Sequence, residues 1–217
     1  MFDRYRYAYL LATLALLIIA RPFLPDFGRN FVIAMLGLSL ITAAVTSAAG
    51  RYQVWVGVVM TCAIVLSSLA PAEPGSFGSA LLSPALGVIY WALTAFLILR
   101  RILVRTSRVT ADTVNGAICV YLVMGLGWSH AYALLEAVHP GSFELGGGVA
   151  LEGAHYVFER FIGFSFVTLT TLGYGNVIPL TPKSEALAVA EAITGQLYLA
   201  VLLARLVAME IVGRRAE

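Results

Sequence analysis

Long apolar runs constrain the fold of this chain more than any other feature of its sequence. Of the 217 residues, 60% are hydrophobic and only 12% are charged, which is more apolar surface than a small domain in water can bury. A helix that spans a membrane needs about 20 mostly apolar residues. The segments that approach this length are residues 5–21, 31–49, 54–70, 84–99, 114–137 and 184–212. The sequence therefore predicts an all-α membrane protein with six transmembrane helices.

The basic residues predict how these helices are oriented. If the N-terminus lies in the cytoplasm, nine basic residues fall in the inner loops and ends, and four fall in the outer loops. The cytoplasmic loops of membrane proteins carry such an excess of Lys and Arg. Six spans then return the chain to the side on which it began, so we expect both termini to be cytoplasmic.

Between the fifth and sixth predicted spans lies an apolar segment that is too short to cross a membrane. A Gly-rich loop at 138–158 leads to residues 159–170, which would form about 18 Å of helix. Gly173, Gly175 and Pro179 follow and do not continue a helix. The pattern predicts a short helix that enters the membrane and a loop that returns. Non-helical backbone at that depth is stable only where it lines a polar cavity.

The returning loop reads Thr-Leu-Gly-Tyr-Gly over residues 171–175. Backbone carbonyls from four copies of such a loop can replace the hydration shell of K+. They point to one axis only if the backbone alternates between conformations, and Gly173 and Gly175 adopt the left-handed one at little cost. The hydroxyl of Thr171 could add a ligand at the inner mouth. The predicted filter residues and K+ ligands are Thr171, Leu172, Gly173, Tyr174 and Gly175.

Residues 170–176, Thr-Thr-Leu-Gly-Tyr-Gly-Asn, follow an aromatic-rich short helix and precede an apolar one, and this combination resembles the potassium-channel signature. The close resemblance covers residues 156–212. Six spans with the pore after the fifth resemble the voltage-gated-like superfamily, and the short C-terminus resembles its small bacterial members, which have no cytoplasmic regulatory domain. Leu172 stands where these channels commonly have Val or Ile, and Asn176 stands where they commonly have Asp.

The resemblance implies a function and an assembly. The chain would be one subunit of a homotetramer in the cell membrane, which for a bacterial protein is the inner membrane. It would conduct K+ passively, and such a channel is not an enzyme and uses no cofactor besides the permeant ion. The net charge of +2 also gives no reason to expect a nucleic-acid partner.

The chain divides into three predicted parts: a four-helix sensor-like domain at 1–99, an amphipathic cytoplasmic linker at 100–112, and a pore domain at 113–217. Because the fourth span carries no charge over 84–99, the sensor-like domain is not expected to respond strongly to voltage. Apolar linker residues 102–104 and Val109 would face inward. The linker arginines, which would contact anionic lipid headgroups, are Arg100, Arg101, Arg105 and Arg108.

Several positions outside the filter are candidates for gating or for support. The resemblance places Gly195 where related channels have a flexible hinge, and close packing against the short helix is an equal alternative. Glu191 is an ionisable group within a span and therefore a functional candidate, with Thr168 and Tyr121 as expected partners. The inner-gate candidates are Ala204, Ala208 and Ile211, and the filter-support candidates are Phe164, against which the Tyr174 ring would pack, Asn176 and Glu191.

Other functional classes fit the sequence less well. A non-selective cation channel is the nearest alternative, because Leu172 could loosen the filter. A secondary transporter would use two corresponding interrupted helices in internal repeats, and the sequence shows one interruption. The sequence contains no Ser-His-Asp set, HExxH motif or Cys/His cluster that would indicate an enzyme. Cys62 and Cys119 lie in apolar runs, which predicts that both thiols are buried.

Overall fold

The computed structural model describes residues 6–20, 77–105, 110–146 and 154–215. The second and third predicted spans, 31–49 and 54–70, lie outside these ranges. The described helices are α1 Arg6–Ala20, α2 Phe77–Arg105, α3 Ala111–Val138, α4 Ala154–Leu169 and α5 Pro182–Arg215, and the described strands are β1 Phe143–Leu145 and β2 Val177–Pro179.

Three of the described helices are long and apolar enough to span a membrane. The qualifying stretches are Leu81–Val104 in α2, Ala111–Val138 in α3 and Pro182–Arg205 in α5. Helix α4 has 16 residues, or about 24 Å, and is too short to cross. The structure confirms the prediction of a mostly helical membrane protein with a short helix before the loop, although α4 begins five residues earlier than residue 159.

Helix α2 is longer than the predicted fourth span at both of its ends. The helix begins seven residues before the predicted start of the span at residue 84, and Pro84 lies inside it. The helix tolerates the lost backbone hydrogen bond, as apolar spans often do. At the other end, Arg100 and Arg101 continue the helix instead of starting a separate connector, since arginine is a good helix former. Ile102 is buried, as predicted, whereas residues 103 and 104 are exposed. Val109 lies outside the described residues.

Helices α1, α2 and α3 share one apolar core. Its members include Tyr7, Leu10 and Leu14 of α1, Trp91 and Ile98 of α2, and Val120, Val123 and Leu126 of α3. The Asp112 carboxylate accepts a hydrogen bond from the backbone N–H of Tyr7 at 3.1 Å, and this puts the starts of α1 and α3 side by side. Cys119 is buried with a free thiol, as predicted, and Cys62 lies outside the described residues.

Helix α3 begins three residues before the predicted start at residue 114. Thr110 is its N-cap: the side-chain oxygen of Thr110 accepts from the Thr113 backbone, and the Thr113 side chain accepts from the Thr110 backbone. This reciprocal pair satisfies two N–H groups that a helix start leaves without partners.

The segment predicted as a Gly-rich loop contains a strand. Strand β1 pairs antiparallel with β2, with Phe143 opposite Pro179, Glu144 opposite Ile178 and Leu145 opposite Val177. Two flanking backbone bonds extend the pairing, from Gly146 N–H to Asn176 O at 3.0 Å and from Leu180 N–H to Ser142 O at 2.9 Å. The segment that follows the loop is therefore hydrogen-bonded to the segment that follows α3.

Helix α5 starts directly after this strand pair. Thr181 and Ser184 each accept a hydrogen bond from the backbone N–H of the other, at 3.2 and 3.0 Å respectively, and Pro182 occupies the first helical position, where its missing N–H costs nothing. The Ser184 hydroxyl also donates to Ser142 O at 2.8 Å. The loop therefore runs between two fixed points, the end of α4 and the start of α5.

Helices α2 and α3 lie close together at Gly87. A Cβ atom added to Gly87 would lie 1.9 Å from Cδ2 of His130. The imidazole cannot easily give way, because its Nδ1 lies 2.8 Å from Leu126 O and its ring packs against Phe158 with centroids 4.5 Å apart. Gly87 therefore sets the spacing of this helix pair.

Replacing Gly87 with alanine should separate α2 from α3. We expect Gly87→Ala to lower stability by about 1–3 kcal/mol, because overpacking in a filled interior has costs of this size. Gly127→Ala is the matched control, since its added Cβ would meet Trp91 Cβ at an ordinary 3.4 Å. The measurement is the melting temperature of the detergent-purified protein, and equal melting of both variants would contradict this packing.

Candidate functional site

Helix α4 ends in a pattern of hydrogen bonds that turns the chain sharply. The N–H of Leu172 donates to Val167 O at 2.8 Å, and the N–H of Thr171 donates to Thr168 O at 3.0 Å, which together form a Schellman motif. Thr171 occupies the left-handed position of this motif, with φ +59°. Glycine is usual there, and a β-branched residue in this conformation is strained by about 1–3 kcal/mol. Strain of this kind occurs mainly at functional sites.

Left-handed residues then alternate along the loop. Gly173 and Gly175 both have φ +72°, as their sequence predicts, and Thr171 adds a third alternate position that the sequence did not reveal. Among the described residues, no other non-glycine residue has a positive φ. Alternation of this kind turns successive peptide planes, so that carbonyl groups of neighbouring residues can face the same side.

Backbone carbonyls accept hydrogen bonds up to the start of the loop, and the pattern changes there. The carbonyls of the last turn of α4 and of Thr170 all accept hydrogen bonds, from the donors Thr170 N, Leu172 N, Thr171 N, the Tyr121 hydroxyl and the Thr171 hydroxyl. Asn176 O accepts from Gly146 N–H. Between these points, no donor among the described residues reaches a carbonyl of residues 171–175. As far as the described ranges extend, five consecutive carbonyls are therefore available to a ligand.

The predicted loop residues are exposed in the single chain, and Tyr174 is 69% exposed. Phe164, predicted to support the Tyr174 ring, packs within its own chain against Tyr132 and Phe143, with ring centroids 4.9 and 5.9 Å apart. Tyr132 and Phe143 are buried together with Phe161 and Val177, and the partly buried Phe164 packs against this apolar cluster.

Two glycines allow α4 to lie close to its neighbours. A Cβ added at Gly125 of α3 would lie 2.6 Å from Cε1 of Phe166, and one added at Gly195 of α5 would lie 2.6 Å from Leu169 O. Both distances are too short for a side chain, so both positions need glycine for packing. For Gly195 this supports the close-packing alternative, and the hinge role stays a prediction. Sequence reasoning missed Gly125.

Two stacked tyrosines link the C-terminal end of α4 to α3, and α3 to α5. Tyr121 donates to Leu169 O at 3.0 Å, although the sequence analysis had assigned it to Glu191. Tyr198 of α5 donates to Ala117 O of α3 at 2.6 Å, and the two tyrosine rings stack with centroids 6.1 Å apart. Helices α3, α4 and α5 therefore meet at this pair.

Glu191 is fully buried, with 0% of its surface exposed. Its Oε1 lies 2.5 Å from Ser165 Oγ of α4, and its Oε2 accepts a hydrogen bond from the Tyr132 hydroxyl of α3. Ser165 Oγ also lies 2.7 Å from Gly125 O. The predicted bond to the short helix is present, but through Ser165, and neither Thr168 nor Tyr121 is the partner.

The remaining predicted positions lie on α2 and α5. Ala204 and Ala208 are exposed on α5. Ile211 lies in α5 and Arg105 lies in α2, but the structure does not describe the side chain of either residue. Arg108 lies outside the described residues. Between the two alanines, Arg205 donates a hydrogen bond to Leu103 O, which joins α5 to the last turn of α2.

Residues 144–211 match a protein-family model described as "Ion channel". This match supports an ion-channel domain over these residues. The match spans about a third of the 217 residues and includes α4, the loop, β2 and most of α5. A domain of this kind supports passive ion conduction across a membrane. Searches of curated proteins and of solved structures gave no match.

A substitution at Gly195 distinguishes packing from bending. We expect Gly195→Ala to lower stability by about 1–3 kcal/mol, because its Cβ would meet a backbone carbonyl that cannot rotate away. Gly163→Ala is the control, since an added Cβ there has no atom within 4 Å. Both variants would be compared with the wild type by thermal melting in detergent. Unchanged melting of Gly195→Ala together with altered open probability would favour the hinge.

Proposed function

We propose that the chain is one subunit of a homotetrameric, potassium-selective channel, and that residues 171–175 of four subunits form its selectivity filter. The observation that carries this proposal is the set of five consecutive carbonyls with no donor among the described residues. They follow a helix too short to span and lie within the ion-channel domain. A dehydrated cation needs a ring of oxygens of this kind.

One loop cannot surround an ion, so the proposal needs several subunits. The apolar surface that a single chain leaves exposed fits such an assembly. The loop itself is exposed, and so is most of the apolar surface of α5. The large exposed side chains of α5 are Val189, Ile193, Leu197, Leu199, Val201, Leu203 and Val207. In a tetramer, part of this surface would contact neighbouring subunits around a common axis, and the rest would face lipid or the water-filled cavity.

Within the proposed filter, each residue has a distinct role. Gly173 and Gly175 hold the left-handed backbone, and Thr171 would supply both its carbonyl and its hydroxyl at the inner mouth. Leu172 and Tyr174, which alternate with these left-handed residues, would contribute their backbone carbonyls. The C-terminal end of α4 points toward the inner mouth, and its partial negative charge would favour a cation there.

The surrounding assignments complete the proposal. The protein would lie in the cell membrane, in a bacterium the inner membrane, with both termini cytoplasmic. Residues 1–99 would form a sensor-like domain and 113–217 the pore domain, with anionic lipid near Arg100 and Arg101. Ala204 and Ala208 would line the inner gate.

Flux measurements in liposomes test the proposal. We expect the reconstituted wild type to pass K+ much faster than Na+ and Gly173→Ala to reduce K+ flux to the level of empty liposomes. An L-residue in the left-handed conformation costs about 1–2 kcal/mol, and every subunit would bear that cost in the filter itself.

The matched control is Gly141→Ala in the turn before β1. Gly141 also has a positive φ, +83°, and an added Cβ there would also meet nothing within 4 Å. It carries the same backbone strain outside the filter, so its K+ flux should stay at the wild-type level. Equal K+ and Na+ flux through the wild type would instead indicate a non-selective channel, and slow, saturable flux coupled to protons would indicate a transporter.

A further inference from the structure

The carboxyl group of Glu191 lies where three helices meet, and its surroundings are unusual for an acid. Among the described residues, it is the only Asp or Glu that is buried. Its hydrogen-bond partners, Ser165 and Tyr132, carry hydroxyl groups, and neither is a cation. An ionised carboxylate without a cation is far more costly to bury than a neutral, hydrogen-bonded group.

The hydrogen atoms in this cluster can be counted. Ser165 Oγ lies 2.7 Å from Gly125 O and 2.5 Å from Glu191 Oε1, yet a serine hydroxyl has one proton. A backbone carbonyl can only accept, so the serine proton is needed for Gly125 O. The remaining contact between Ser165 and Glu191 then requires a proton from the carboxyl group, since two oxygen lone pairs would otherwise face each other.

We propose that Glu191 is held in its acid form and is a positioning residue for the short helix that precedes the loop. Its proton goes to Ser165, the Ser165 proton goes to Gly125 O, and the Tyr132 proton goes to the other carboxyl oxygen. Every hydrogen is used once, and the chain of bonds joins α5 to α4 and α3 without a buried charge.

This arrangement fixes α4 at the turn that precedes the loop. Ser165 lies six residues before Thr171, and the next residue, Phe166, packs on Gly125. The bond to Gly125 O and the ring contact act on the same turn of α4 from α3, while Glu191 acts on it from α5. Because α4 leads directly into the loop, the position of this turn determines where the free carbonyls lie. That step rests on the proposed function, whereas the protonation of Glu191 does not.

Infrared spectroscopy tests the acid form without any need for conduction. We expect the detergent-purified wild type at neutral pH to show the carbonyl stretch of a protonated, buried carboxyl group, and we expect Glu191→Gln to remove it. Glu185→Gln, which changes an exposed acid in the first turn of the same helix, should leave the band in place. A wild-type spectrum without a protonated carboxyl band that depends on Glu191 would overturn the proposal.

The variants also separate positioning from simple stability. Glutamine has one donor and one acceptor for Ser165 and Tyr132, so Glu191→Gln should keep the wild-type ratio of K+ to Na+ flux. Ser165→Ala removes the link between α4 and both neighbours, and we expect that ratio to fall by about tenfold in protein that still assembles. An unchanged ratio in Ser165→Ala, or a ratio lost in Glu191→Gln, would overturn the positioning role.

These two readouts distinguish this inference from the proposed function. If the wild type passes no K+ but the infrared band is present and depends on Glu191, the proposed function fails and the acid form stands. If K+ passes selectively but the band is missing, the proposed function stands and the acid form fails.

Discussion

The backbone groups at the end of α4 are the constraint on which the rest of the structure depends. The end of a helix leaves carbonyls without partners inside the helix, and each one that water does not reach needs another partner. The chain supplies partners as far as Thr170 O, through the Schellman motif and two side-chain hydroxyls. It supplies them again from Asn176 O. The five carbonyls between these points have no donor in the part of the chain that the structure describes, and they are the ones that a permeant ion would satisfy if the proposed function holds.

Such a site is useful only if α4 is held rigidly, and the packing around it meets this need. At Gly125 and Gly195, α3 and α5 lie so close to α4 that no side chain would fit between them. Tyr121 holds the last helical carbonyl, and the Glu191 cluster holds the turn before it. Apolar packing thus sets how close the three helices lie, and hydrogen bonds set the rotation of α4 between them.

The sequence predicted the parts of this arrangement that depend on local pattern. Apolar length predicted the spans of α3 and α5, the short stretch predicted α4, and the glycines predicted left-handed backbone at 173 and 175. Composition could not show that α2 continues past Pro84 and Arg100, because both residues often end a span. A three-residue strand such as β1 is too short to show a period, and its pairing depends on a partner more than 30 residues away.

The contacts of Glu191 show why partners between helices were harder to predict. Thr168 and Ser165 are one helical turn apart on the same face of α4, and Tyr121 and Tyr132 lie on one face of α3 about 16 Å apart. The predicted partners were therefore on the correct faces but at the wrong height. Periodicity reports which face of a helix is buried, whereas the height at which two helices meet is set by close contacts such as Gly125 with Phe166. The left-handed Thr171 was missed because threonine carries no local preference for it.

The most direct test of the central claim is to locate the permeant ions in a crystal of the assembled protein. Growth with Rb+ or Tl+ in place of K+ would mark those ions by anomalous scattering. We expect a row of peaks on a fourfold axis, ringed by the carbonyls of residues 171–175. An assembly without that symmetry, or a loop that faces lipid with no ion beside it, would contradict the account.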